Sequence, residues 1–104
     1  MTIEELQMRA MEIRSHYATL ETRLYGKEWS TEEIALGLVG DVGDLMKLIV
    51  AKEGMRKIDD VDEKIAHELS DCLWVLLVLS KKYEVDLEAS FLKTMDDLEQ
   101  RIQT

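Results

Sequence analysis

The chain has 104 residues, of which 46% are hydrophobic, and its 22 acidic against 13 basic side chains leave a formal charge of −9. That length supports one domain, residues 1–104, with enough apolar content for a moderate core, while the negative charge excludes phosphate backbones and anionic membranes as bulk partners, since both select basic faces. There is no apolar run near the ~18 residues of a membrane-spanning helix, the amphipathic N-terminus lacks a signal-peptide core, and the single cysteine, Cys72, precludes an internal disulfide and suits a reducing cytoplasm.

No proline and only five glycines predict long, uninterrupted helices. The first opens on Thr2 and Glu5, spaced as a capping box in which each side chain satisfies a free first-turn amide. Ile3, Leu6, Ala10, Ile13, Tyr17, Leu20 and Leu24 then recur by threes and fours as one apolar face, and Gly26 ends it. The second opens on Ser30 and Glu33, runs through Ile34, Leu38, Leu45, Leu48 and Ile49, and stops at Gly54, a residue suited to a left-handed turn.

Asp59, Asp60, Asp62 and Glu63 mark the start of the third helix, where the helix dipole favours acids. Its stretch from Cys72 to Leu79 is eight apolar residues long, which demands burial on every side. Asp86 caps a fourth helix carrying the stripe Leu87, Phe91, Met95, Leu98 and Ile102. Four helices this short cannot enclose a central helix completely, so part of the third helix is expected to meet a second subunit. The expected fold class is all-α, a four-helix bundle completed by homo-oligomerisation.

Within this pattern, four acids occupy the wrong places. Asp41 lies between Leu38 and Leu45 in the apolar register of the second helix, and Asp44 follows three residues later. Glu68 and Asp71 repeat that spacing directly before the apolar run of the third helix. Burying such carboxylates uncompensated costs several kcal/mol each. Protonation, pairing with basic side chains or a bridging hard cation would each offset this; Lys47 is the nearest base in register, and an oxygen-only donor set at helical spacing suits Mg²⁺ or Mn²⁺. A di-iron carboxylate bundle is disfavoured because neither pair ends in His. His67 projects about 100° from Glu68 around the helix and reads as an outer or surface residue. Gly37, Gly40 and Gly43, each costing roughly 1 kcal/mol in a helix interior, imply close approach to the backbone, most simply by a neighbouring helix.

The run Ile34 to Leu45 (IALGLVGDVGDL), then Glu68 to Asp71 (ELSD) and Val85 to Leu87 (VDL), resembles the MazG-like all-α nucleoside triphosphate pyrophosphohydrolases, a superfamily that includes dimeric dUTPases and dCTP pyrophosphatases. The resemblance covers roughly residues 25–102. Asp41 and Asp44 stand where the family motif has two glutamates, Gly40 where many members have another acid, and Thr94 and Leu98 where dCTP pyrophosphatase-like members have lysine and asparagine.

The resemblance implies cleavage of a nucleoside triphosphate between the α and β phosphates, giving monophosphate and pyrophosphate, by a homodimer or homotetramer. Asp41, Asp44, Glu68 and Asp71 become the expected ligands of Mg²⁺ (or Mn²⁺), and Asp41 the expected acceptor of the attacking water's proton. Trp29 is a candidate for base stacking, with a hydrophobic staple as the alternative, and Lys47 and Arg56 are candidates for phosphate oxygens. Trp74 reads as core or interface, and Cys72, with no base near it in sequence, as core. The alternative is a catalytically weak or inactive relative that binds nucleotide or a protein partner. A purely structural oligomerisation bundle would leave the four misplaced acids without a purpose.

Overall fold

A computed structural model describes residues 1–54 and 56–103, with helices α1 (Ile3–Tyr25), α2 (Thr31–Lys52), α3 (Val61–Lys82) and α4 (Leu87–Gln103), and no strand among the described residues. Local chemistry sets the ends. Both expected capping boxes form: Glu5 N–H donates to Thr2 Oγ1 at 3.1 Å, and Glu33 N–H donates to Ser30 Oγ at 3.1 Å. Gly26 ends α1 with φ +80°, and Gly54 follows α2 with φ +97°, both in the left-handed region that favours glycine. Asp86 Oδ1 accepts from Ala89 N–H at 3.1 Å, the cap expected for α4. Asp60 precedes α3 but makes no side-chain cap, leaving Asp62 and Glu63 as the first-turn acids.

α3 lies between α1 and α2 and packs against both. The core joins Ala10 of α1, Ile34 of α2, and Val75, Leu77 and Val78 of α3, with Val78 only 1% exposed. Polar contacts fix α1 on α3. Trp74 Nε1 donates to the Ala10 carbonyl at 3.0 Å, its ring lies 5.6 Å from that of Tyr17, and Gln7 Nε2 donates to Ser80 Oγ at 2.8 Å. α1 also buries an Arg14–Glu21 ion pair, whose Glu21 Oε1 accepts from the Trp29 backbone N–H at 2.9 Å and so ties the α1–α2 connection back to α1.

Two expectations need correction, and a third is met. α4 does not close the bundle: its residues are not buried, and it makes at most marginal contact with the other helices. The radius of gyration, 16.7 Å, accordingly exceeds the ~13 Å of a compact chain of this length. As expected, the chain's own helices do not cover the apolar run of α3 on every side. Val75, Leu77 and Val78 face the core, but Leu73 and Leu76, with Leu69 one turn earlier, face outward because two neighbouring helices cover only part of its circumference. Finally, among the described residues no helix packs on the α2 glycines, since a Cβ built at Gly37, Gly40 or Gly43 meets nothing within 4 Å. Among the described residues, no helix is long and apolar enough to cross a membrane.

Candidate metal centre

The packing of α2 on α3 brings both acid pairs together. One ligand oxygen from each of Asp41, Asp44 and Glu68 lies within 4.8 Å of the others, and ligand atoms of His67, Glu68 and Asp71 form a second such group. Glu68 belongs to both. Asp41, Glu68 and Asp71 are half-buried, as their register with the apolar stripes predicts, while Asp44 is exposed. His67 is also largely exposed, but its Nε2 stands 3.1 Å from Asp71 Oδ2. It therefore joins the cluster rather than pointing away from it. The signal for this was its i,i+4 spacing to Asp71, which puts the two on one helix face.

The charge of this cluster is not settled by the protein. Among the described residues, no Lys or Arg forms an ion pair with any of the four carboxylates, and Glu68 Oε2 is buried without a hydrogen-bond partner. Burial raises the pKa of Asp41 above the ordinary carboxylate range, reinforced by Asp71 and Asp44 and partly opposed by His67. Glu68 is raised in the same direction, by burial first and then by Asp71, Asp44 and Asp41. Burial, then Asp41, Glu68 and Asp71, push the thiol of half-buried Cys72 upward, which disfavours the thiolate. An orphaned buried oxygen among carboxylates, with one imidazole in reach, is a donor set that fits a hard divalent cation.

Two cavities flank the cluster. One, of about 600 Å³, runs between α1, α2 and α3; Tyr17, Trp29 and Trp74 supply aromatic wall, and Asp41 and Asp71 reach it from the cluster. The other, of about 410 Å³, holds Asp44 and Glu68 together with Lys47 and Lys64. His67 lines both. Trp29 and Lys47 thus line different cavities, each shared with acids of the cluster. Arg56 does not: it is exposed in the α2–α3 connection and lines neither cavity, because the chain has already turned away from α2 at Gly54. Lys64 is a basic residue at the cluster that helix periodicity gave no reason to single out, since it lies on a solvated first turn.

No curated protein and no solved structure matches the chain significantly. The profile of the MazG nucleotide pyrophosphohydrolase domain does, over residues 30–104, which takes in all four cluster acids and most of the chain. The chain belongs to the MazG nucleotide pyrophosphohydrolase family.

Proposed function

We propose that the protein hydrolyses a nucleoside or deoxynucleoside triphosphate between its α and β phosphates, releasing monophosphate and pyrophosphate. The observation that carries this is the buried, unpartnered Glu68 Oε2 at the junction of the two acid groups, between an aromatic cavity and a lysine-lined one. Asp41, Asp44, Glu68 and Asp71 would hold Mg²⁺, or Mn²⁺, with His67 in reach. When bound, such a cation screens the phosphate charge from a protein of net charge −9 and acidifies bound water.

The residues divide the remaining work. Trp29 offers a face on which the base stacks inside the aromatic cavity. Asp41 lines that cavity, and its raised proton affinity suits it to take the proton of the water that attacks the α phosphorus as the bond to the bridging oxygen breaks. Lys47 and Lys64 meet the departing pyrophosphate in the second cavity. The outward row Leu69, Leu73 and Leu76, with the uncovered stripe of α4, forms the surface through which the chain assembles as a homodimer or homotetramer. Sedimentation as a clean monomer at micromolar concentration would exclude that assembly.

A pyrophosphate-release screen over canonical and damaged (d)NTPs, with Mg²⁺ and with Mn²⁺, tests the activity. Turnover of at least one substrate, abolished by EDTA, is expected; silence across the panel with both metals would end the enzyme reading. The shorter reach of Asp41 and Asp44 and the exposure of Asp44 favour, as a second reading, a module that binds nucleotide without turnover. Calorimetric binding by a preparation that releases no pyrophosphate would select it.

A further inference from the structure

The aromatic cavity contains a charged pair for which the hydrolysis has no use. Arg14 and Glu21, seven residues apart on α1, both line it, and their side chains are 8% and 6% exposed. They lie outside the segment that matches the family profile. An ion pair this buried is weak evidence for stability, because desolvation offsets much of the attraction. Its remaining hydrogen-bonding capacity is more informative.

Arg14 engages Glu21 through one terminal nitrogen, and the guanidinium has no other partner among the described residues. Glu21 Oε1 takes both that bond and the Trp29 N–H, leaving Oε2 without a protein partner among the described residues. None of these spare atoms is fully sealed from solvent without a partner, unlike Glu68 Oε2. Both residues line the same cavity, so a ligand held there lies beside that spare capacity. The cavity thus carries a donor group and an acceptor group side by side, in a wall that also holds Tyr17, Tyr25, Trp29 and Trp74.

The neutrality of the pair selects the ligand chemistry. A lone arginine here would attract phosphate, but with Glu21 in contact the net charge is zero, and phosphates are better placed at the cation-binding acids. What fits a neutral donor–acceptor pair in an aromatic slot of about 600 Å³ is a flat, neutral heterocycle with a donor next to an acceptor on its edge. We infer that Arg14 and Glu21 read the hydrogen-bonding edge of the nucleobase and set which base the protein accepts. This rests on the proposed nucleotide substrate and adds a location and a mechanism for its selectivity. A polar pair left unsatisfied by the wrong base rejects it far more strongly than an apolar pocket would.

The test separates base recognition from hydrolysis. The full chain in EDTA is titrated with each of the four common 2′-deoxynucleosides and, separately, with deoxyribose. The ¹H–¹⁵N signals of the Trp29 and Trp74 indoles and of Arg14 Nε are followed. These signals are expected to move with a preferred nucleoside and not with deoxyribose. The preferred base should bind about tenfold tighter than the poorest, the effect of roughly one well-made hydrogen bond. In the double variant R14M/E21M, which replaces the pair with apolar side chains of similar length, that ratio should fall to about twofold or less. Wild-type spectra that respond to no nucleoside, or equally to all four, would overturn the inference even if the variant fails to fold. So would an unchanged ratio in a folded variant. Pyrophosphate release from the same preparation is scored independently, so loss of hydrolysis with base selectivity intact would count against the proposed reaction alone.

Discussion

Arg14–Glu21 on α1 and the acids of α2 and α3 are two ways of placing charge in apolar surroundings, and they differ in where the compensation comes from. Glu21 has its countercharge in contact, two turns away on the same helix face, and a backbone N–H besides. Burial alone would raise its pKa, yet the Trp29 N–H and the Arg14 guanidinium together hold it below the ordinary value of 4.5. Asp41 and Glu68 have mainly other carboxylates for neighbours, and both are pushed up instead. The first arrangement balances its charge within the chain. The charge of the second is balanced only by a ligand that carries positive charge, which is why removing one charge should act on the fold with opposite sign at the two sites.

The largest effects follow from removing one member of each. Glu68→Gln should lower pyrophosphate release by about 100-fold or more, while the metal-free protein keeps or gains thermal stability because a repelling charge is gone. Arg14→Ala should do the reverse to the fold: it strands Glu21 in a buried position, and the melting temperature should fall on the order of 10 °C or more. Paired activity assays and thermal melts check both. A Glu68→Gln protein that melts far earlier than wild type, or an Arg14→Ala protein that melts with it, would erase the distinction.

Cation binding should then stabilise only the open site. At about 100-fold excess over its dissociation constant a ligand adds roughly 2.7 kcal/mol, which for a chain of this size raises the melting temperature on the order of 10 °C. Mg²⁺ or Mn²⁺ is expected to produce such a rise in the wild type and little of it in Glu68→Gln, read by calorimetry against EDTA controls.

Acid should act on the two regions with opposite sign. A depressed carboxyl such as Glu21 supplies stability above its unfolded value that is lost as pH falls through the folded one. Raised carboxyls such as Asp41 and Glu68 impose a penalty at neutral pH that is relieved as pH falls through their folded values and is gone below the unfolded values of 3.8 and 4.5. In EDTA the melting temperature should therefore rise on mild acidification before it drops. Asp41→Asn should flatten the rise and leave the drop, and a monotonic fall in the wild type would show that the acids are already compensated.

The open site was far more legible in the sequence than the closed one, for a physical reason. Carboxylates at leucine positions, as at Asp41 between Leu38 and Leu45, break an apolar pattern and so announce themselves. Arg14 and Glu21 break nothing: Ile13 and Leu20 beside them complete a satisfactory stripe, and only the packed structure shows that the helix is rotated to bury the charged neighbours as well. Helix ends were legible because capping is local, from Thr2 with Glu5 to Asp86 with Ala89 N–H. The stand-off of α4 was not, since a stripe such as Phe91, Met95 and Leu98 states that a face needs cover without stating what covers it. The aromatic cavity draws Tyr17, Trp29 and Trp74 from different segments and exists only in the tertiary structure.

The smallest effect probes the backbone beside the open site. Gly40 is helical, adjoins Asp41, and would place a methyl group where no atom stands within 4 Å. Nothing in the subunit needs a glycine there, so Gly40→Ala should gain about 1 kcal/mol from helix propensity and raise the melting temperature by about 4–8 °C, with assembly unchanged. Such a gain would mean that the glycine strip leaves room for a ligand approaching Asp41. A loss that grows on dilution would mean that the strip is filled by the backbone of a second copy, because only an association equilibrium makes stability depend on concentration. In that case the acids of α2 would be closed over by the assembly, and the contrast between a site balanced within the chain and one balanced from outside would extend from charge to packing.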